Sequence, residues 1–142
     1  MYRHILIPTD GSELAEHGVA QGLALAKSLG AKVSVIFVVE PFSEMTGRFL
    51  EAVATYAELR KEQAASALER AANAAKEVGI LCKTTQVENG QPHQAIIAAA
   101  EDKGCDLIVM SSHGRSGLSA FLIGSVTNKV LTHAKIPVLV CQ

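Results

Sequence analysis

The sequence predicts an α/β protein built on an open, doubly wound parallel sheet, and three observations carry that expectation. Short β-branched runs alternate with longer Ala-rich segments of helical period from one end of the chain to the other. Most of the runs, such as HILIP and VSVIFVVE, are nearly all apolar, as in strands covered on both faces. No internal repeat or linker interrupts the alternation, so the 142 residues read as one domain. Right-handed crossovers then gather five strands into a single sheet.

Taken in order, the first strand is HILIP at 4–8, and a helix follows over 12–29. Asp10 and Ser12 are both N-cap residue types, and Glu13 stands three after Asp10, the spacing of a capping box. Ala15, Gly18, Val19, Gly22, Ala26 and Leu29 form its inward stripe, small enough for close approach to a sheet, and Gly30 ends it. The second strand spans 32–40 and stops at Pro41, before a loop over 41–47. A helical pattern runs from 49 to 78, long enough to predict a kink or break near 57–60. The third strand, 81–88, alternates weakly and suits a sheet edge, and Asn89-Gly90 turns the chain. A helix over 93–103 places Ile96, Ile97 and Ala100 inward and closes at Gly104. The fourth strand is 106–111, a short helix covers 125–133, and the last strand is 136–141.

Composition narrows the function classes. Hydrophobic residues are 49% and charged residues 19%, a globular balance, while aromatics are only 4%. The core therefore rests on Ala, Val, Leu and Ile. Thirteen basic and fourteen acidic residues leave a net charge of -1, so no electrostatic footprint for nucleic acid is present. Neither a basic membrane-surface run nor a span of roughly 20 apolar residues occurs. The opening MYRHILIPTDG is too short in its apolar run for a signal peptide, which predicts a cytoplasmic protein. Cys82, Cys105 and Cys141 stand outside any CxxC spacing and read as free thiols, with a redox or metal role as the alternative.

In doubly wound sheets ligands bind beyond the carboxyl ends of the strands where the winding reverses. Two stretches meet that description: PTDGS after the first strand, and SSHGRSGLSAFLIGSVT (111–127) after the fourth. The second begins the last helix at Gly124-Ser125-Val126-Thr127, and the free N–H groups and dipole of a helix start favour an anion. Ser125 adds a hydroxyl there, or merely caps the helix. At the head, Gly114 and Gly117 allow positive φ values that form anion-binding N–H arrays. His113 either bonds a phosphate or packs at the loop base, and Arg115 either adds charge or lies solvated. Leu118, Phe121, Leu122 and Ile123 tuck the intervening segment onto the body or a partner. Asp10 is placed to accept hydrogen bonds from a ribose, to hold Mg2+ through water, or to cap the first helix.

Several catalytic arrangements are missing from the sequence. It has no GxxxxGK[ST] loop, no Lys within 111–125, no GxSxG elbow and no GxGxxG after the first strand. No His pair has metal-ligand spacing, and no general base or nucleophile stands out. A phosphoacceptor domain needs an acidic cluster and a strand-end Lys, which Ser111-Ser112 does not supply. The site reads as one for holding a nucleotide.

On these residues the chain resembles the universal stress protein family over essentially its whole length. The resemblance rests on ILIPTDGSELAE, VSVIFVVEP, CDLIVMSSHGRSGLSAFLIGSVTNKVL and the ending IPVLVC. Nucleotide-binding members carry G-x2-G-x9-G-[ST]; Gly114, nine residues and Gly124-Ser125 fit it, with Ser111 in place of the first Gly. The resemblance implies a Rossmann-like, adenine nucleotide alpha hydrolase-like sheet of order 3-2-1-4-5. It implies ATP, or AMP or ADP, with Mg2+. Pro8 and Thr9 would floor the nucleoside, Asp10 would meet ribose or a metal-bound water, and Val38 or Val39 would offer backbone groups to adenine. Ser111, His113 and Gly114 would flank ribose and α-phosphate, and Gly124, Ser125, Val126 and Thr127 would cradle the β- and γ-phosphates. The family's usual homodimer would pair the last strand, from Ile136 to Cys141, with its symmetry mate, which covers an otherwise aggregation-prone edge.

The function expected from the resemblance is a nucleotide-dependent stress-response or regulatory protein with protein partners yet to be identified. Two alternatives stand beside it. One is weak ATP hydrolysis, for which only Asp10, His113 and Mg2+ are available. The other is a nucleotide-free dimeric interaction module, which the Ser111 departure keeps open.

Overall fold

The computed structural model describes residues 1–41, 50–114 and 123–142. Within them the chain alternates through β1 (His4–Pro8), α1 (Glu13–Leu29), β2 (Lys32–Val39), α2 (Leu50–Glu77), β3 (Cys82–Glu88), α3 (Pro92–Asp102), β4 (Leu107–Ser111), α4 (Ser125–His133) and β5 (Val138–Cys141). The strands form one parallel sheet of order β3-β2-β1-β4-β5. The winding reverses between β1 and β4, as the alternation of elements predicts.

Strand alternation sorts the core into two layers. On one face Ile5, Ile7, Val35, Phe37 and Val109 pack under α1 and α2. On the other, Leu6, Ile36, Ile108 and Met110 meet Ile96 and Ala100 of α3 and Val130 of α4. Burying one such Ile or Phe side chain stabilises by about 1.5–3 kcal/mol. β1 at the centre is buried on both faces, whereas β3 and β5 form the edges.

The α1 start corrects the capping expectation. Ser12 is the N-cap, and its Oγ accepts from Ala15 N, the N3 position, so Glu13 is no capping-box partner. Along α1, Gly18 and Gly22 let the helix lie close to the sheet: a Cβ at Gly22 would press into Ile7 and lie 3.4 Å from Val109. Gly30 stops the helix at φ 68°, a conformation costly for residues with a Cβ.

α2 also differs from expectation. It is one helix of 28 residues with no break at 57–60, because no Gly or Pro interrupts its Ala-rich run. At about 1.5 Å per residue it is roughly 40 Å long, longer than the strands it crosses. The last strand is shorter than expected, since residues 136 and 137 lead into it.

Beneath the sheet, at the amino ends of the strands, Asp106 accepts the N–H groups of Arg3 and His4. The His4 side chain is buried and its Nε2 pairs with Ser34 Oγ at 2.7 Å. Burial first, and then the charge of Lys32, hold its pKa below the usual 6.5. A lowered folded-state pKa gives stability that is complete above pH 6.5 and lost as pH falls through the folded value. The urea midpoint should therefore drop between pH 7 and pH 5. His4→Gln, which keeps a polar side chain but does not titrate, should remove His4's part of that drop.

Candidate functional site

The PTDGS turn carries the chain from β1 to α1 through bonds made by its own side chains. Thr9 N donates to Ile36 O (2.9 Å), and Thr9 Oγ1 accepts from Gly11 N (3.2 Å). Asp10 Oδ1 accepts from Ser12 N at 3.0 Å, an Asx-type turn, so Asp10 orders the turn and Ser12 caps the helix. Gly11 takes φ +79°, as this tight reversal requires.

One strand over, β4 ends in a turn that ties three elements together. Ser111 Oγ donates to His113 O (2.7 Å), and Thr127 Oγ1 donates to Ser111 O (2.9 Å). Ser112 O accepts from Gly124 N (2.7 Å), while Ser112 N donates to Cys141 O (2.8 Å). Gly114 does not use the positive φ expected of it. What it supplies is space, because a Cβ there would collide with Asp10 Oδ2. That contact brings the two switch-point loops together. Gly124 likewise leaves room: a Cβ would lie 3.2 Å from Ser112 O and 3.4 Å from His113 Cα.

The two helix starts at this crevice differ electrostatically. α1 has its Ser12 cap and two acidic residues, Glu13 and Glu16, in its first turn. α4 starts at Gly124 with no side-chain cap and no acid in its first turn. Ser125 is the first helical residue and exposed, so it does not serve as the cap. The dipole and free N–H groups of α4 therefore remain available to an anion.

The other expected positions divide. Pro8 and Asp10 are half-buried at the β1 end, and Thr9 is buried. Val38 and Val39 end the neighbouring strand but belong to opposite core layers, Val38 toward α3 and Val39 toward α2. Val126 is half-buried against the α3–α4 layer. The Thr127 side chain is turned inward to Ser111, so only its backbone can face a ligand. His113 is 7% exposed, with Nδ1 3.0 Å from Ser112 Oγ and no hydrogen-bond partner for Nε2. Leaving such an atom unmet costs about 1–3 kcal/mol. Arg115, Gly117, Leu118, Phe121 and Leu122 lie outside the described residues. Ile123, at 48% exposure, is not tucked onto the body.

Ser111 is the departure from the glycine motif, and its neighbour explains how the fold holds it. A Cβ on Gly18 would be 3.2 Å from Ser111 N and 3.6 Å from Ser111 Cβ, so α1 has no side chain where Ser111 has one. Gly18 lies 93 residues earlier in the chain, and only its membership of the small stripe marked it. Arg60 was also missed. It is 7% exposed on α2, stacks 5.3 Å over the Phe37 ring and donates from Nη1 to Gln63 Oε1. Beside it a cleft of about 450 Å3 opens between the PTDGS turn and α2, with Gln63, Ser66 and Arg70 on its helix side. Arg70 is ion-paired there to Glu16. Replacing Thr127 with Val keeps the shape and removes the hydroxyl, and should lower stability by about 1–3 kcal/mol in urea unfolding.

A parallel sheet of order β3-β2-β1-β4-β5 with helices on both faces is the arrangement of a doubly wound, Rossmann-like α/β domain. The sequence matches the universal stress protein family over residues 1–142, and the chain belongs to that family. It is 38% identical to a universal stress protein of Methanocaldococcus jannaschii, over 100% of this chain and 83% of that protein. The solved universal stress protein UspA of Lactobacillus plantarum is 25% identical with a TM-score of 0.82, covering 99% of this chain and 98% of that one. A universal stress protein solved in complex with cAMP superposes at TM-score 0.71 and 24% identity, with 99% and 97% covered. No helix among the described residues is long and apolar enough to cross a membrane.

Proposed function

We propose that this chain is a single-domain, cytoplasmic regulatory protein that binds an adenine nucleotide, ATP or its mono- and diphosphates, and works as a homodimer. The observation that carries the reading is the bare N-terminus of α4 beside Gly124, at the switch point of the sheet. There the N–H groups of Ser125, Val126 and Thr127 take the outer phosphates, and Gly114 and the turn around Ser111 flank the sugar end. Pro8, Thr9 and Asp10 line the nucleoside, and the end of β2 at Val38 or Val39 meets adenine. The side chain of Ser111 is buried beside Gly18, so it leaves the crevice open. A relative of the same fold in complex with cAMP supports an adenine ligand. Mg2+ enters with the triphosphate, with Asp10 reaching it through water. Among the described residues no group of three or more His, Cys, Asp or Glu offers a separate metal site.

A titration of the purified protein with labelled ATP and Mg2+ tests this reading. Saturable binding below about millimolar ATP is expected. Gly124→Val, whose side chain meets the Ser112 carbonyl, should abolish it while the protein still unfolds cooperatively. Absence of saturable binding by the wild type rejects the reading.

The homodimer uses β5, a sheet edge on which Leu139 is 45% exposed. Sedimentation should give a dimer for the wild type and a monomer for Leu139→Asp, which puts a charge on the paired edge.

A further inference from the structure

The sheet face that carries α3 and α4 brings together two histidines that the sequence keeps apart. His93 is in the first turn of α3, and His133 is the last residue of α4, forty positions later. In the fold their ring centroids lie 5.8 Å apart, with the ring planes tilted by 35°. His93 is half-buried and His133 exposed, so the pair opens to solvent. Among the described residues no hydrogen bond engages either ring. At a helix end and exposed, His133 can turn its ring among staggered rotamers.

The separation suits one shared ion. A metal–imidazole bond of about 2.0–2.1 Å puts the ion about 3.2 Å from each ring centre. Two rings on that ion then have centres roughly 4.5 Å apart at a right angle and roughly 6.4 Å apart in line. The observed 5.8 Å falls inside that span. Burial first, then the charges of Lys129 and His133, hold the His93 pKa below the usual 6.5. A neutral ring keeps one nitrogen lone pair to give. We propose that His93 and His133 form a two-histidine site for a divalent transition metal ion, of the Zn2+ and Ni2+ class, that clips the start of α3 to the end of α4. Imidazole nitrogen suits this class, whereas Mg2+ and Ca2+ seek oxygen. Lys129, one helical turn before His133, adds a positive charge that a purely ionic site would not tolerate. Coordinate bonds therefore carry the binding, and the C-terminal dipole of α4 partly offsets the charge. No third His, Cys, Asp or Glu completes the set among the described residues, so water fills the open positions and the ion exchanges. The site stands apart from the nucleotide reading and does not rest on it.

Calorimetric titration of the nucleotide-free protein with NiCl2, and with MgCl2 for comparison, tests the proposal. The proteins are the wild type, His93→Gln, His133→Gln and His17→Gln. His17 is exposed on α1, which packs on the other face of the sheet. The wild type should bind one Ni2+ per chain and no Mg2+ at the same concentrations. Loss of an outer-shell partner already costs about 10–100-fold in metal affinity, so loss of either ligand should cost about 100-fold. His17→Gln should bind as the wild type does. Ni2+ should raise the melting temperature of the wild type and leave those of the two ligand variants in place. Substoichiometric Ni2+ should broaden the ring-proton NMR signals of His93 and His133 together, ahead of His17. Melting curves without metal establish that each variant folds. If a ligand variant does not fold, the broadening in the wild type decides: His93 and His133 together support the proposal, and any other pattern overturns it. Full affinity in a folded His93→Gln or His133→Gln overturns it, as does equal binding of Mg2+. Absence of saturable Ni2+ binding by the wild type overturns it as well, and ATP binding is untouched by any of these results.

Discussion

The turn that ends β4 is the constraint on which the rest of the switch point depends. Within four residues it receives Thr127 from α4, Gly124 from the entry to α4, and Cys141 from the edge strand. The fourth residue, Gly114, lies against Asp10 of the other loop. Ser111, Ser112 and His113 are all buried, so these polar groups would be costly if unmet. Each bond therefore specifies a position as much as it stabilises one. The position of the α4 start relative to the end of β1 follows from this turn, as does the anchoring of β5 at its last residue.

That geometry is possible because side chains are missing where backbones converge. Gly22 admits Ile7, Gly18 admits Ser111, Gly114 admits Asp10, and Gly124 admits the Ser112 carbonyl. All four need room, not an unusual φ, and Gly114 does not take the positive φ expected of it. The Ser111 substitution shows the same principle in compensation. A side chain added on the strand is matched by its absence on the helix opposite.

Much of the architecture was legible because apolar periodicity reports burial directly. The alternation of elements, the bounds of β1 and α4, and the edge character of β3 all follow from pattern. Capping was less legible. Asp10, Ser12 and Glu13 are all residues that suit a helix start, and only the path of the turn decides that Ser12 caps while Asp10 closes the Asx turn. The expected break in α2 came from length alone, and the run without Gly or Pro overrides it. Arg60 could not be read at all, since an Arg in a polar-looking helix is ordinarily solvated. Its burial over Phe37 comes from the way α2 lies across β2.

By itself the sequence determined the fold class and pointed to the two loops at the switch point of the sheet, with the glycine and hydroxyl residues they contain. These are local properties: period, turn chemistry and the free N–H groups at a helix start are written within a few residues. The tertiary structure decided which way each of those side chains faces. Thr127 turns in to Ser111 and leaves only its N–H for a ligand, and Ser125 stays exposed. His113 is closed over with one nitrogen unmet, and Ser111 sits beside a glycine 93 residues away. Facing depends on which backbone arrives opposite, and that is settled only when distant elements pack.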